Sequence, residues 1–296
     1  MAISKEEVIG LHGPWTAHNI EYASGEFTIA PGGNADWLRD RATFYAACAE
    51  YSLGRPFGSL RTLDLGCLEG GMSFHFAKFG AQALGLEVRE SNVAKCNFVA
   101  GASGLENLSF IQGDMLNIPS EVGKFDAILA AGTLYHVDAP DLLGFLTQLR
   151  EICTGVVILD THVAMDGLEV FDMGPRGKIY GRSIVEHEGG SSDKLKDQRA
   201  WASHRNDYAF WPTERSLMNL LNEAGFAFAY KPMLPFLEWP WKDRGIWIAD
   251  TRKSPLVSQC LNRKYRDPDA RPQDHPFFGR PEQIRSKNPA TKRLYE

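Results

Sequence analysis

The stretch Arg61–Gly71, RTLDLGCLEGG, constrains this chain more than any other. Apolar residues over Leu60–Leu65 run into a turn holding Gly66, Gly70 and Gly71, and a helical pattern leaves it. Glycine serves where a backbone must turn sharply or approach a ligand with no Cβ in the way. The next apolar run ends in an acid, Glu87, twenty-one residues after Gly66. The pattern is not the dinucleotide GxGxxG: Leu68 stands where the second glycine belongs, and no tight pyrophosphate cradle follows. Taken alone, a glycine turn and an acid also suit a purely structural corner of an open sheet.

The surroundings add to it. Strand candidates Leu60–Leu65, Ala81–Glu87, Leu108–Gln112, Phe125–Ala130 and Gly155–Leu159 alternate with helix candidates Gly71–Phe79, Ser91–Ala102 and Pro140–Ile152. Gly80 is placed to stop the first helix, and Pro140 after Asp138 to start the last. Such alternation predicts a parallel sheet covered on both faces, with ligands bound outside the carboxyl ends of the strands. Three motifs fall there. In the first, Glu87 can accept the hydroxyls of an adenosine ribose beside the Gly66 turn. In the second, Phe110–Leu116 (FIQGDML), Asp114 can accept an adenine amino group while Met115 packs on the ring. In the third, Phe125–Pro140 (FDAILAAGTLYHVDAP), small residues Ala130, Ala131 and Gly132 precede Leu134-Tyr135-His136, which sit over the pocket.

Over Leu60–Asp160 the chain therefore resembles the class I methyltransferases that use S-adenosylmethionine (SAM). A narrower resemblance, to the tRNA wobble-uridine carboxymethyltransferase and its relatives, rests on four further groups of residues. These are His18-Asn19-Ile20, Asp36-Trp37-x-x-Asp40-Arg41, Gly132-Thr133-Leu134-Tyr135-His136 and Phe210-Trp211-Pro212 with Gly225-Phe226. The resemblance implies an α/β fold with a Rossmann-like, mostly parallel seven-stranded sheet, and SAM as cofactor. It implies cofactor contacts from Asp64, Gly66, Gly70, Glu87, Asp114, Met115, Ala131 and Tyr135, with Tyr135 near the transferred group. The basic residues that the tRNA enzyme directs at its cofactor's extra carboxylate fall at Gly10 and Leu38 here, which favours ordinary SAM over carboxy-SAM.

At 296 residues, one domain with appended pieces is expected. We divide it into an N-terminal arm and helix (1–55), a SAM-binding core (56–160), a lid or acceptor insertion (161–212), a closing helix and antiparallel strand pair (213–252) and a C-terminal arm (253–296). Met1–Gly33 shows no clear period and reads as an irregular arm, while Asp36–Tyr51 reads as a helix. Thr161–Pro212 has no sustained period and is too long for an ordinary loop, so it is expected to hold the acceptor or to serve assembly. Transfer to a protonated acceptor often needs a base. Tyr135, His162 and His136 are the catalytic candidates, His162 as a lining of the acceptor pocket.

Glu186-His187-Glu188 has no second ligand group at metal spacing and reads as a solvated loop, so no metal is expected. Five scattered cysteines without a CxxC fit reduced thiols in a cytoplasmic protein. No apolar run approaches the roughly 18 residues of a membrane span. The chain carries −5, but Arg252–Glu296 holds eleven Lys and Arg against five Asp and Glu, which leaves −11 on the rest. An acidic body argues against a nucleic-acid partner, and the expected partner is a small-molecule acceptor. The tail reads as a surface arm or the clasp of a homodimer before it reads as an RNA contact. The expected reaction is methyl transfer to an oxygen or nitrogen of a small molecule. The alternatives are a tRNA-modifying alkyltransferase and an inactive SAM-binding scaffold, the latter disfavoured because Glu87 and Asp114 are intact.

Overall fold

The computed structural model describes residues 3–165, 169–233 and 242–252. In chain order the elements are α1 (Lys5–His12), β1 (Glu21–Ala23), β2 (Glu26–Phe27), α2 (Ala35–Leu53), β3 (Arg61–Leu65), α3 (Gly71–Lys78) and β4 (Gln82–Glu87). They continue with α4 (Glu90–Ser103), β5 (Leu108–Gln112), β6 (Phe125–Ala131), α5 (Ala139–Ile152) and β7 (Cys153–His162). The last group is β8 (Glu169–Asp172), β9 (Lys178–Val185), α6 (Asp193–Gln198), β10 (Tyr208–Pro212), α7 (Glu214–Glu223), β11 (Phe228–Tyr230) and β12 (Arg244–Asp250).

Seven strands form one sheet in the order β11-β12-β7-β6-β3-β4-β5, all running in one direction except β12, which is antiparallel to both its neighbours, β7 and β11. This is the Rossmann-like sheet expected. The period-2 alternation of the strands sends side chains to two cores. Ile128, Ala130, Val157 and Leu159 meet α5 and α7 on one face, while Ala127, Leu129, Val156 and Ile158 meet α2 and α3 on the other. The chain runs outward from β3 to β5 and returns to β6 on the other side of β3, so the strand order reverses there. A reversal opens a crevice at the carboxyl ends. Asp138 caps α5 by accepting from Ala139 N, with Pro140 in the first turn, and Gly54 ends α2 in the left-handed region.

One expectation needs correction. The N-terminal arm is not irregular: Ser4 and Glu7 form a capping box on α1, and β1 and β2 pair as a hairpin. Only Val8 of α1 is fully buried, so the helix has almost no apolar stripe to reveal it. Among its described residues the insertion after β7 forms an antiparallel sheet of its own, β10-β9-β8. Its strands alternate little because few of their residues are buried. The basic arm at 253–296 lies outside the described residues. Among the described residues, no helix is long and apolar enough to cross a membrane.

Candidate active site

The turn between β3 and α3 is built on left-handed backbone. Gly66 lies at φ 59°, and a Cβ there would meet Thr133 Cγ2 at 2.8 Å. Leu68, in the place of a dinucleotide motif's second glycine, keeps a positive φ of 53°, alone among the described non-glycine residues. That conformation costs a side-chain-bearing residue on the order of 1–2 kcal/mol. It aims the Leu68 amide at Glu87 Oε2, 3.0 Å away. Glu87, at the end of β4, also accepts from Arg89 N at 3.0 Å and Asn92 Nδ2 at 3.5 Å. Burial raises its carboxyl above the usual range. Asp64, one residue before the end of β3, accepts from Ser73 N (3.1 Å) and Oγ (2.7 Å), and burial pushes its carboxyl up to about 7.

Glu69, inside the same turn, has a function that sequence reasoning missed. Only 1% exposed, it accepts from the amides of Thr16, Ala17 and His18 at 2.9 Å each, and from Lys95 Nζ at 3.3 Å. Burial opposes its charge, but these donors hold the carboxyl below its ordinary value. The arm is thereby stapled over the turn. His18 Nδ1 accepts from Gly71 N at 3.0 Å, and burial pushes that ring down to about 4. The sole signal in the sequence was a charged residue in a glycine-rich, otherwise uncharged turn.

A second hub sits at the end of β7. Asp160, fully buried and paired in register with Ala131, accepts from Arg41, from Tyr45 and from Arg244 Nε, the last at 2.6 Å. The Arg41 guanidinium lies 4.6 Å from the Trp37 ring and that of Arg244 lies 5.5 Å from the Tyr135 ring. Leu38, in the register of a carboxylate-binding base, is buried. Arg41, one turn on, brings a charge to the cavity instead.

The segment of the insertion between α6 and β10 roofs the crevice. Arg89 donates to the carbonyls of Asp197 (2.9 Å), Arg199 (3.0 Å) and Ala202 (2.9 Å), laying the segment after α6 over the end of β4. Trp211 Nε1 donates to Tyr135 O at 2.9 Å. Beneath is a cavity of about 800 Å³. Asp64, Gly66, Glu87, Asp114, Met115 and Ala131 line it together with Tyr135, His136, Trp37, Arg41 and Arg244, with Trp201 and Arg205 in the roof. Arg205 comes within 3.7 Å of Asp114.

Two candidates do not line it. Gly70 packs on Phe110 and Cys96. His162 stacks on Trp211 (4.6 Å between centroids), meets the edge of Tyr135 at 5.0 Å and has Nδ1 3.1 Å from Asp243; burial lowers its pKa. Of the insertion's aromatics, Phe210 belongs to the core and Tyr208 is exposed. The Glu186–Glu188 stretch is not a solvated loop: Glu186 bonds His136 Nδ1 at 2.7 Å, and His187 is 1% exposed. No group of three or more His, Cys, Asp or Glu among the described residues could hold a metal.

The donor set fits SAM. A buried carboxylate stands at the end of β4, an acid and a thioether follow β5, Gly66 allows a Cβ-free approach, and small residues end β6.

Known proteins bear on this geometry. The sterol 24-C-methyltransferase ERG6B of Gibberella zeae is 35% identical over 95 residues, 31% of this chain and 24% of that enzyme. The ajmaline N-methyltransferase of Rauvolfia serpentina is 29% identical over 151 residues, 49% of this chain and 50% of that one. The chain thus spans half or less of these relatives. A ubiquinone biosynthesis O-methyltransferase of Ruegeria sp. is 26% identical over 188 residues, 63% of this chain and 68% of the enzyme. Among solved structures, the N-terminal domain of EvdMO1, crystallised in the presence of SAH and D-fucose, shares the fold. Its TM-score is 0.62 at 24% identity, over 84% of this chain and 95% of that one. Residues 57–223, from before β3 to the end of α7, match the family described as the methyltransferase domain. They make up more than half of the chain, and the chain belongs to that family.

Proposed function

We propose that this chain transfers a methyl group from SAM to an oxygen or nitrogen of a small molecule. The observation that carries the reading is one continuous cavity. It joins the carboxylates Glu87 and Asp114 to Tyr135 and His136 past the small residues Ala131 and Gly132. When bound, SAM supplies an electrophilic methyl on a sulfonium. Glu87 would hold the ribose, Asp114 and Met115 the adenine, and the Gly66 turn and Ala131 the amino-acid part. Tyr135, its phenol pushed up by burial, stays protonated at neutral pH and serves as a donor or wall rather than as a base. Positioning and water exclusion then supply most of the acceleration. The Arg89-held roof provides the exclusion. His136 and His162 remain the candidates for proton acceptance, with His136 the one on the cavity wall.

The narrower kinship with the wobble-uridine enzyme is proposed for the pocket alone. His18, Trp37, Arg41, Tyr135 and His136, all from its quoted motifs, line the same cavity. The −11 outside the tail counts against RNA as acceptor. Calorimetry with S-adenosylhomocysteine (SAH) tests the reading. Wild type should bind in the micromolar range or tighter, and absence of binding would remove the proposal.

A further inference from the structure

The insertion reaches back to the corner after β6 through a carboxylate. Glu186, just past β9, is buried and bonds Nδ1 of His136 at 2.7 Å. Its other oxygen accepts from Ser203 N at 2.9 Å. Ser203 is held on every side, since its carbonyl bonds His187 Nε2 at 2.6 Å and its Oγ accepts from Asn206 N at 3.1 Å. Asn206 Nδ2 in turn donates to His136 O at 3.2 Å. The glutamate is thus a fixed group and not a passing surface contact. With Nδ1 engaged, Nε2 is the ring nitrogen left to the cavity that His136 lines, and it has no protein partner among the described residues.

We propose that Glu186 is the positioning residue of a proton-accepting His136. This rests on the SAM-dependent reading above. Both carboxylate oxygens of Glu186 are acceptors. One takes the Ser203 amide, so the other takes Nδ1–H and the neutral ring keeps Nε2 unprotonated toward the acceptor. As the acceptor's new O–C bond forms and the methyl–sulfur bond breaks, that bond's electron pair stays on sulfur. The acceptor O–H proton passes to Nε2. Glu186 faces the resulting imidazolium at hydrogen-bond distance. The acceptor class follows: one that carries an O–H or N–H proton that must leave, a hydroxyl in the step as written. A tertiary amine has no proton to give and needs no such pair.

The Glu186→Gln variant separates positioning from packing. An amide has one acceptor oxygen, and if the Ser203 N–H keeps it, the NH₂ faces Nδ1 and forces the proton onto Nε2. The experiment is long-range ¹H–¹⁵N NMR of the full chain labelled in histidine, above pH 8, with His136 identified through His136→Gln. SAH calorimetry and acylation by diethylpyrocarbonate, which attacks unprotonated imidazole nitrogen, run beside it. Expected are an Nδ1–H tautomer in wild type, Nε2–H in E186Q and Nδ1–H again in Glu186→Asp. SAH affinity should stay within about twofold, because no cofactor contact changes. His136 acylation should slow several-fold in E186Q. An Nε2–H tautomer in wild type, or an acylation rate unmoved in E186Q, overturns the proposal. Should E186Q not fold, the wild-type tautomer and the Asp variant decide. SAH failing to bind wild type removes the methyl-transfer reading itself, and the role of the pair with it, whatever the tautomers show.

Discussion

Replacing Glu69 by Gln should release the N-terminal arm from the site. Glu69 Oε2 accepts two backbone amides, from Ala17 and His18, while Oε1 accepts the Thr16 amide and the Lys95 ammonium. Glutamine keeps one acceptor. If it serves Ala17 and His18, its NH₂ faces two donors in a site that excludes water. Breaking a buried, hydrogen-bonded ion pair costs about 3–5 kcal/mol, limited above by the free energy of undocking the arm. We take about 3 kcal/mol, which for a domain of this size lowers Tm by about 6–12 °C. Hydrogen exchange gives the local readout, with the amides of 16–18 losing protection before the rest of the fold. The carboxyl is held below its unfolded value, so its stabilisation is present above the ordinary glutamate range and is lost as pH falls through the folded value. The gap between wild type and variant should therefore narrow on acidification. A Tm within a degree or so of wild type, with unchanged protection at 16–18, would refute the staple.

Three further outcomes follow from the same geometry. Glu87→Ala should weaken SAH by about tenfold to a hundredfold in calorimetry, because charge-assisted hydrogen bonds worth about 1.5–3 kcal/mol are lost. Asp160→Asn removes the carboxylate addressed by Arg41, Tyr45 and Arg244 and should cost about 3–5 kcal/mol in urea denaturation. Asp64, raised to about 7, binds a proton in the folded state that the unfolded chain has released. It therefore lowers stability progressively as pH rises from about 4 to about 7, and Asp64→Asn should abolish that slope while keeping a partner for Ser73.

What was legible in the sequence was local. The glycine turn, the strand-ending Glu87 and Asp114, and the Tyr135-His136 corner each sit within a few residues of the period change that exposes them, and the strands that carry them formed at the expected ends. The remainder depends on partners far apart in the chain. Glu69 meets Thr16 across 53 positions, Arg41 meets Asp160 across 119 and His136 meets Glu186 across 50. No spacing rule announces such pairs, because each is made by the crossing of finished elements. Leu68 is a different case. Its left-handed backbone contradicts its residue type and is held by Glu87, so a rule that seeks a second glycine passes over a turn that keeps the same shape.

Native mass spectrometry of the purified full chain tests the central claim most directly, because it reads the mass of whatever fills the cavity without an assumed acceptor. The account predicts that added SAM or SAH binds one per chain at its own mass, that any copurified ligand has one of these two masses, and that Glu87→Ala loses it. Retention of carboxy-SAM would assign Arg41 and Arg244, which line the cavity, to a different donor. A chain that holds a dinucleotide, or that takes up neither SAM nor SAH when they are added in excess, would contradict the account outright.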